Sequence, residues 1–265
     1  MSNLVVIPSS REDIDKIISK GIKEIIVGVK NLSIYEFELD IDEILDIKNI
    51  NITIAINKMI HNNDLDNVKE VLLKVKNTSI NILFQDVGVL HLIKELNLNN
   101  NLIVYGEHLN LSIGSNTFYK ERGVTSTYIS SDITYNEIND IKLNTKMNIY
   151  YTVYGYLPVF YSRRSLISNY LKYIKEEKTD DTYYIFDKDN KYMIKEKDYG
   201  TIIYSPLVNL VNELDKLTNI DNLVIDLSYT KDINIIDKFI NKEKEDNPYT
   251  GFFDKETIYK LKEEV

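Results

Sequence analysis

Three histidines, His61, His91 and His108, are the whole supply of imidazole in this 265-residue chain, and cysteine is absent. Without thiols there is no disulfide framework, no four-cysteine zinc site, no cysteine-held iron–sulfur cluster and no cysteine nucleophile. His108 directly follows Glu107, and a carboxylate beside an imidazole can serve as a base and its orienter. His61 opens the turn His61-Asn62-Asn63, where a capping role suffices, and His91 falls in a helix-period segment as a surface or packing residue. No His-x-x-x-His or Glu-x-x-His pair offers metal-ligand spacing on one helix face, so no metal site is expected. Gly-x-Ser-x-Gly, a Walker loop and Gly-x-Gly-x-x-Gly are all missing, which removes local support for a hydrolase, a nucleotidase or a dinucleotide enzyme.

The elements that must position these residues repeat a simple pattern. Short β-branched runs recur at Leu4–Ile7, Glu24–Val27, Ile50–Ile56, Ile80–Phe84, Leu102–Tyr105, Ser126–Ser130, Asn148–Val153 and Leu223–Ile225. Helix-period segments separate most of them: one capped by Ser9 or Ser10 with Glu12 placed for a capping box, then 41–47, 65–75, 89–96, one starting near Asn116, one capped by Thr134, and 233–240. Alternation of this kind means parallel βαβ units. About eight units favour a closed TIM-like (β/α)8 barrel, with an open doubly wound sheet as the runner-up. The barrel takes residues 1–154 and 219–246. An α+β insertion, 155–218, falls between strands seven and eight. It holds a helix at 165–174, a hairpin turning at Asp187-Lys188-Asp189-Asn190, and a helix at 206–217. A tail, 247–265, carries Tyr249, Phe252, Phe253 and Tyr259, which must be buried against something.

In a parallel barrel the chemistry collects where strands end. Gly28, Asn57, Lys58, Gln85, Asp86, Glu107, His108, Ser131, Asp132, Tyr154 and Asp226 all stand there, outlining a polar mouth able to hold a small ligand. Polar residues are common at strand ends simply because loops begin there, so the list gives a location and not a reaction. The net charge of −9 argues against free-standing affinity for nucleic acid. Arg163 and Arg164 are a local exception, followed by a helix bearing Tyr170, Lys172, Tyr173 and Lys175. Basic and aromatic residues interleaved this way suit a phosphate backbone and a base, or simply a solvated helix face. The N-terminus lacks a basic region and a long apolar run, and no segment approaches the ~20 apolar residues of a membrane span. A cytoplasmic protein with no membrane association is expected.

The stretch Tyr154-Gly155-Tyr156-Leu157-Pro158-Val159-Phe160-Tyr161-Ser162-Arg163-Arg164-Ser165-Leu166-Ile167-Ser168-Asn169-Tyr170 resembles the signature of the peptidase U32 family, His-Gly-x-x-Cys followed by Ser-Gly-x-Cys-x-x-Ser-Asn-Tyr. Gln85-Asp86-Val87-Gly88-Val89-Leu90 is similar to the family's Asp-x-Gly-Val loop. Asp132 matches the acidic residue after strand six, and Tyr249-Thr250-Gly251-Phe252-Phe253 resembles the tail of short members. The departures are specific. Pro158 and Ser165 replace two signature cysteines, Tyr154 replaces the histidine, Arg163 replaces a glycine, and Asp226-Leu227-Ser228 stands where Glu-Gly-Arg is usual.

The resemblance implies a barrel related to enzymes of prephenate-dependent tRNA wobble-uridine hydroxylation and of ubiquinone hydroxylation, some of them named collagenase-like proteases. Signature cysteines in that family help hold an iron–sulfur cluster, and neither proline nor serine supplies a thiolate. The implied role is the cluster-free subunit of a heteromeric tRNA 5-hydroxylation system. It would be paired with a cysteine-bearing U32 paralogue that carries the cluster, with tRNA reached through the complex. Asn57, Asp86, Tyr154, Arg163 and Arg164 would then bind ligand or RNA, and Glu107, His108 and Asp132 are the catalytic candidates. A U32-type peptidase and a non-catalytic scaffold are the alternatives.

Overall fold

The computed structural model describes residues 2–106, 111–187 and 190–255. The chain runs β1 (Asn3–Ile7), α1 (Arg11–Ser19), β2 (Glu24–Val29), β3 (Glu38–Leu39), α2 (Ile41–Leu45), β4 (Asn51–Ile56), α3 (Leu65–Val75), β5 (Asn81–Phe84), α4 (Val87–Glu95) and β6 (Leu102–Tyr105). It continues through α5 (Ile113–Glu121), β7 (Ser126–Tyr128), α6 (Tyr135–Thr145), β8 (Asn148–Gly155), β9 (Pro158–Ser162), α7 (Leu166–Ile174), β10 (Thr182–Asp187), β11 (Asn190–Lys197) and β12 (Gly200–Tyr204). Then come β13 (Val208–Asn209), β14 (Asn222–Asp226) and α8 (Ile235–Asn241).

Eight strands, β1, β2, β4, β5, β6, β7, β8 and β14, pair in parallel, and β1 pairs with both β14 and β2. That double pairing closes the sheet into a (β/α)8 barrel and disposes of the open-sheet alternative. Strand period 2 sorts the side chains into two cores. Val5, Ile26, Ala55, Leu83, Ile103, Tyr128, Tyr150 and Val224 fill the barrel interior, one from each strand. The alternate positions, such as Val6, Ile25, Ile54, Ile82 and Val104, pack outward against the helices.

The interior is polar at its lower end. Glu24 accepts hydrogen bonds from Thr53 Oγ1 (2.7 Å) and Tyr150 Oη (3.0 Å). Burial raises the Glu24 pKa against those hydrogen bonds.

Local signals account for most helix starts. Ser10 caps α1 by accepting from the Asp13 amide, so the third helical residue is Asp13 and the box expected with Glu12 does not form. Thr134 and Glu137 form a capping box on α6. The helix expected near Asn116 starts earlier, at Ile113, because Ser112 accepts from the Ser115 amide.

The helix expected at 206–217 is a correction. Pro206 has no amide hydrogen, and the Asn209 side chain accepts from the Val211 amide at 3.0 Å, an Asx turn that diverts the backbone. Val208 and Asn209 become β13, antiparallel to the end of β8, and only short 3-10 turns follow at Val211–Glu213 and Leu217–Asn219.

The insertion is a four-stranded antiparallel sheet in the order β10-β11-β12-β9. Its hairpin is legible in the sequence, whereas β9 and β12 are not. One face of this sheet, Tyr161, Met193, Ile202 and Tyr204, packs on Ile34 from the loop after β2. Tyr161 Oη accepts from the Met59 amide (3.3 Å) and donates to the Tyr199 carbonyl (3.2 Å). The sheet therefore sits as a cap on the C-terminal end of the barrel. At the tail, buried Phe253 packs on Tyr135 and Tyr151 of the same barrel, and the Asn209 amide donates to the Tyr249 carbonyl. Tyr259 lies outside the described residues.

Candidate functional site

Between the cap and the barrel mouth is a cavity lined by strand residues Tyr105, Tyr128, Thr152 and Asp226, by Tyr35, Ser130 and Ser131 from the loops, and by Tyr156, Tyr204 and Tyr229 around the cap. The room left for the centres of water molecules is about 30 Å3.

Asp226 gives the cavity its chemistry. The Ser228 amide donates to its Oδ1 at 2.8 Å. Burial outweighs that hydrogen bond and pushes the carboxyl up to about 6. An acid tuned near neutrality can hold or pass a proton at working pH. Among the described lining residues there is no lysine, arginine or histidine. A carboxylate ligand would therefore meet Asp226 without a counter-charge, whereas a hydroxyl or amide group would find hydrogen-bond partners. Tyr128 Oη lies 2.7 Å from Thr152 Oγ1, and burial raises the Tyr128 phenol.

The residues named from the sequence distribute unevenly around this site. Asn57 is fully buried; its Oδ1 accepts from Ser33 Oγ (2.8 Å) and the Ile34 amide (3.1 Å), which fixes the loop carrying Ile34 and Tyr35. Among the described residues its Nδ2 has no partner, and neither has Gln85 Oε1 at the end of the adjacent strand. Asp86 caps α4 by accepting from the Gly88 amide. The Asp132 amide donates to Ser130 Oγ, behind the cavity-lining turn. Tyr154 lies outside the barrel wall, buried and edge-on to Phe239 of α8, so it does not reach the mouth. Glu107 and His108 follow directly on Gly106 and lie outside the described residues.

Among the described residues no serine or threonine hydroxyl is hydrogen-bonded to a histidine side chain. His61 caps the turn Asn62–Asp64, and His91 is exposed with Nε2 at 3.9 Å from Glu95.

Arg163 and Arg164 occupy the exposed turn between β9 and α7, and neither forms an ion pair among the described residues. From Ile141 to Lys175 the sequence contains no acidic residue, so this edge is basic within an acidic protein. Gly200 makes the turn possible: at φ +118° a Cβ there would lie 2.2 Å from the Ser162 carbonyl oxygen.

Behind the arginines, Glu196 is buried at the start of α7. It accepts from the amides of Ile167 (2.7 Å) and Ser168 (3.1 Å), from Thr201 Oγ1 (3.0 Å) and from Ser168 Oγ. Burial works to raise its pKa, but those hydrogen bonds prevail and hold it below the usual value. The anion site at this helix start is thus already filled from within. Ser165 is the N-cap residue of α7, and Pro158 opens β9 and lines the cavity. A pyrrolidine ring and a hydroxyl do not fit an iron–sulfur cluster, and no group of three or more His, Asp or Glu placed to hold a metal occurs among the described residues. No helix among them is long and apolar enough to cross a membrane.

The cavity tyrosines escape a sequence reading because tyrosine is abundant, with 20 copies. Counting inward positions along each strand singles out Tyr105, Tyr128 and Thr152. Nothing local marks Tyr156, Tyr204 or Tyr229, which arrive from the cap and from the loop after β14.

Known proteins share parts of this arrangement. The chitinase of Chromobacterium violaceum ATCC 12472 aligns over 92% of this chain and 100% of its own, at a TM-score of 0.42 and 10% identity. That likeness is too distant to carry an argument, and the barrel rests on its own strand pairings. tRNA hydroxylation protein P2 of Bacillus subtilis (strain 168) is 28% identical over 242 residues, covering 84% of this chain and 78% of the relative. The profile of Peptidase family U32 matches residues 9–226, which span both the barrel and the capping sheet, and the chain belongs to that family.

Proposed function

We propose that this protein is the cluster-free subunit of a heteromeric system that hydroxylates tRNA wobble uridine at carbon 5. The observation that carries the reading is the match, over most of both chains, to a relative named tRNA hydroxylation protein P2. The absence of cysteine from the sequence supports the division of labour, because thiolate ligation of a cluster then falls to another chain. That chain would be a cysteine-bearing U32 paralogue in the cytoplasm. Arg163 and Arg164 would contact phosphate, or the carboxylate of a prephenate-like co-substrate, where guanidinium makes paired hydrogen bonds. The cavity around Asp226 suits a neutral hydroxyl- or amide-bearing group better than an acid.

Native purification with mass spectrometry of bound protein and RNA tests the pairing: recovery of a U32 paralogue is expected, and a protein that comes down alone and free of RNA refutes it. For the arginines, the readout is 5-hydroxyuridine in bulk tRNA from cells carrying Arg163→Ala/Arg164→Ala. A clear fall with unchanged protein level is expected; undiminished modification removes their role.

A further inference from the structure

The capping sheet does not end where the barrel mouth ends. On its barrel-facing side, Met193, Ile202, Tyr204 and Tyr161 are buried, and the register continues that face outward to Tyr184, opposite Met193, and to Phe186, opposite Lys191. Tyr184 is 48% exposed and Phe186 71% exposed, on a strand that is the edge of its sheet among the described residues. Lys191 Nζ lies 3.7 Å from the centre of the Tyr184 ring, and Lys195 Nζ lies 5.3 Å from that of Tyr229, which lines the cavity. Neither lysine forms a salt bridge among the described residues, although Lys195 acts through space on the Asp181 carboxylate, in a chain of net charge −9. Through Lys195 and Tyr229 the strip adjoins the cavity.

Exposed aromatic rings beside ammonium groups that form no salt bridge among the described residues match one kind of partner, a single-stranded nucleic acid. Bases stack on the rings, and the long lysine stems let the charges swing to phosphate. A protein interface is less well matched, because two rings of at most about 250 Å2 each fall well short of the ~800 Å2 per partner of a stable complex. A duplex would hide the base faces that the rings need.

We infer that the overhanging face of the β10–β11 hairpin is a landing strip for single-stranded RNA, stacking bases on Tyr184 and Phe186 and meeting phosphates with Lys191 and Lys195 at the entrance to the Asp226 cavity. This rests on the tRNA reading above and adds to it the surface and the strandedness of the RNA.

The test uses the full chain and a fluorescein-labelled ten-nucleotide oligouridine, followed by anisotropy at several salt concentrations, with thermal unfolding to confirm that each variant is folded. Phe186→Ala and Tyr184→Ala are each expected to weaken binding about tenfold. Lys191→Ala/Lys195→Ala is expected to weaken it and to make the log–log salt slope shallower by about 1.4, two phosphates' worth. Three results would overturn the strip: no binding by the wild-type chain at about 50 mM salt, folded variants that bind like wild type, or a duplex of equal length that binds as tightly. 5-Hydroxyuridine in tRNA from a strain lacking the gene separates the two readings. Normal modification there, with strip-dependent binding intact, ends the proposed function and leaves the strip standing. Lost modification with strip-independent binding ends the strip alone.

Discussion

Gly155 and Asp226 approach so closely that a Cβ on the glycine would lie 2.8 Å from the Asp226 Cβ and 3.1 Å from its carbonyl oxygen. Gly155 also holds φ +141°, a region that side chains avoid. It ends β8 where β13 must pair on one side while β14 presses on the other. The family signature glycine therefore sets the position of the cavity carboxylate. Gly155→Ala is expected to cost about 3 kcal/mol from steric and backbone strain together. That corresponds to a melting temperature roughly 6–12 °C lower, measured by calorimetry.

Asp226 makes stability depend on pH in an unusual direction. Its folded pKa, about 6, exceeds the ordinary aspartate value of 3.8, so the folded protein holds this proton more tightly than the unfolded chain. Between about pH 4 and 6 the unfolded state loses it first, and stability from this group falls as pH rises. Asp226→Asn, which keeps an oxygen for the Ser228 amide, should stabilise the protein by about 1–3 kcal/mol at about pH 7 and by nothing below about pH 4. Urea unfolding at both pH values checks it; a variant less stable at neutral pH contradicts the raised carboxyl.

Glu196 predicts the opposite slope. Its pKa is held down in the fold, so its contribution is complete above about pH 4.5, the ordinary glutamate value, and is lost as pH falls through the lowered one. Glu196→Ala strands the Ile167 and Ser168 amides and should cost about 2–4 kcal/mol. Hydrogen exchange should show the loss first in α7 and the Arg163-Arg164 turn, before the barrel strands. Uniform exchange across the chain would mean that Glu196 supports the whole fold and not this turn.

Cluster chemistry gives a direct spectroscopic check. Anaerobic incubation of the purified chain with ferrous iron and sulfide, followed by desalting, should leave no charge-transfer absorbance near about 400 nm and substoichiometric iron, since no thiolate is available. Retained colour at one cluster per chain would reveal ligands of another kind.

The barrel is legible from the chain alone. Each strand is a β-branched run that reads locally, and eight of them in parallel leave few alternatives to closure. Caps at Ser10 and Thr134 are equally local, and composition suffices for the missing thiolates. The site is a different matter, because it exists only once the chain is folded. Tyr154, at a signature position, turns out to face α8, because the ladder slips between Val224 and Ile225 and inward and outward positions exchange. Pro206–Leu217 carries a helical apolar period that an Asx turn at Asn209 and pairing with β8 override. The cavity needs strand ends from the barrel and tyrosines from a sheet inserted far along the chain, and such long-range pairing leaves no trace in local periodicity.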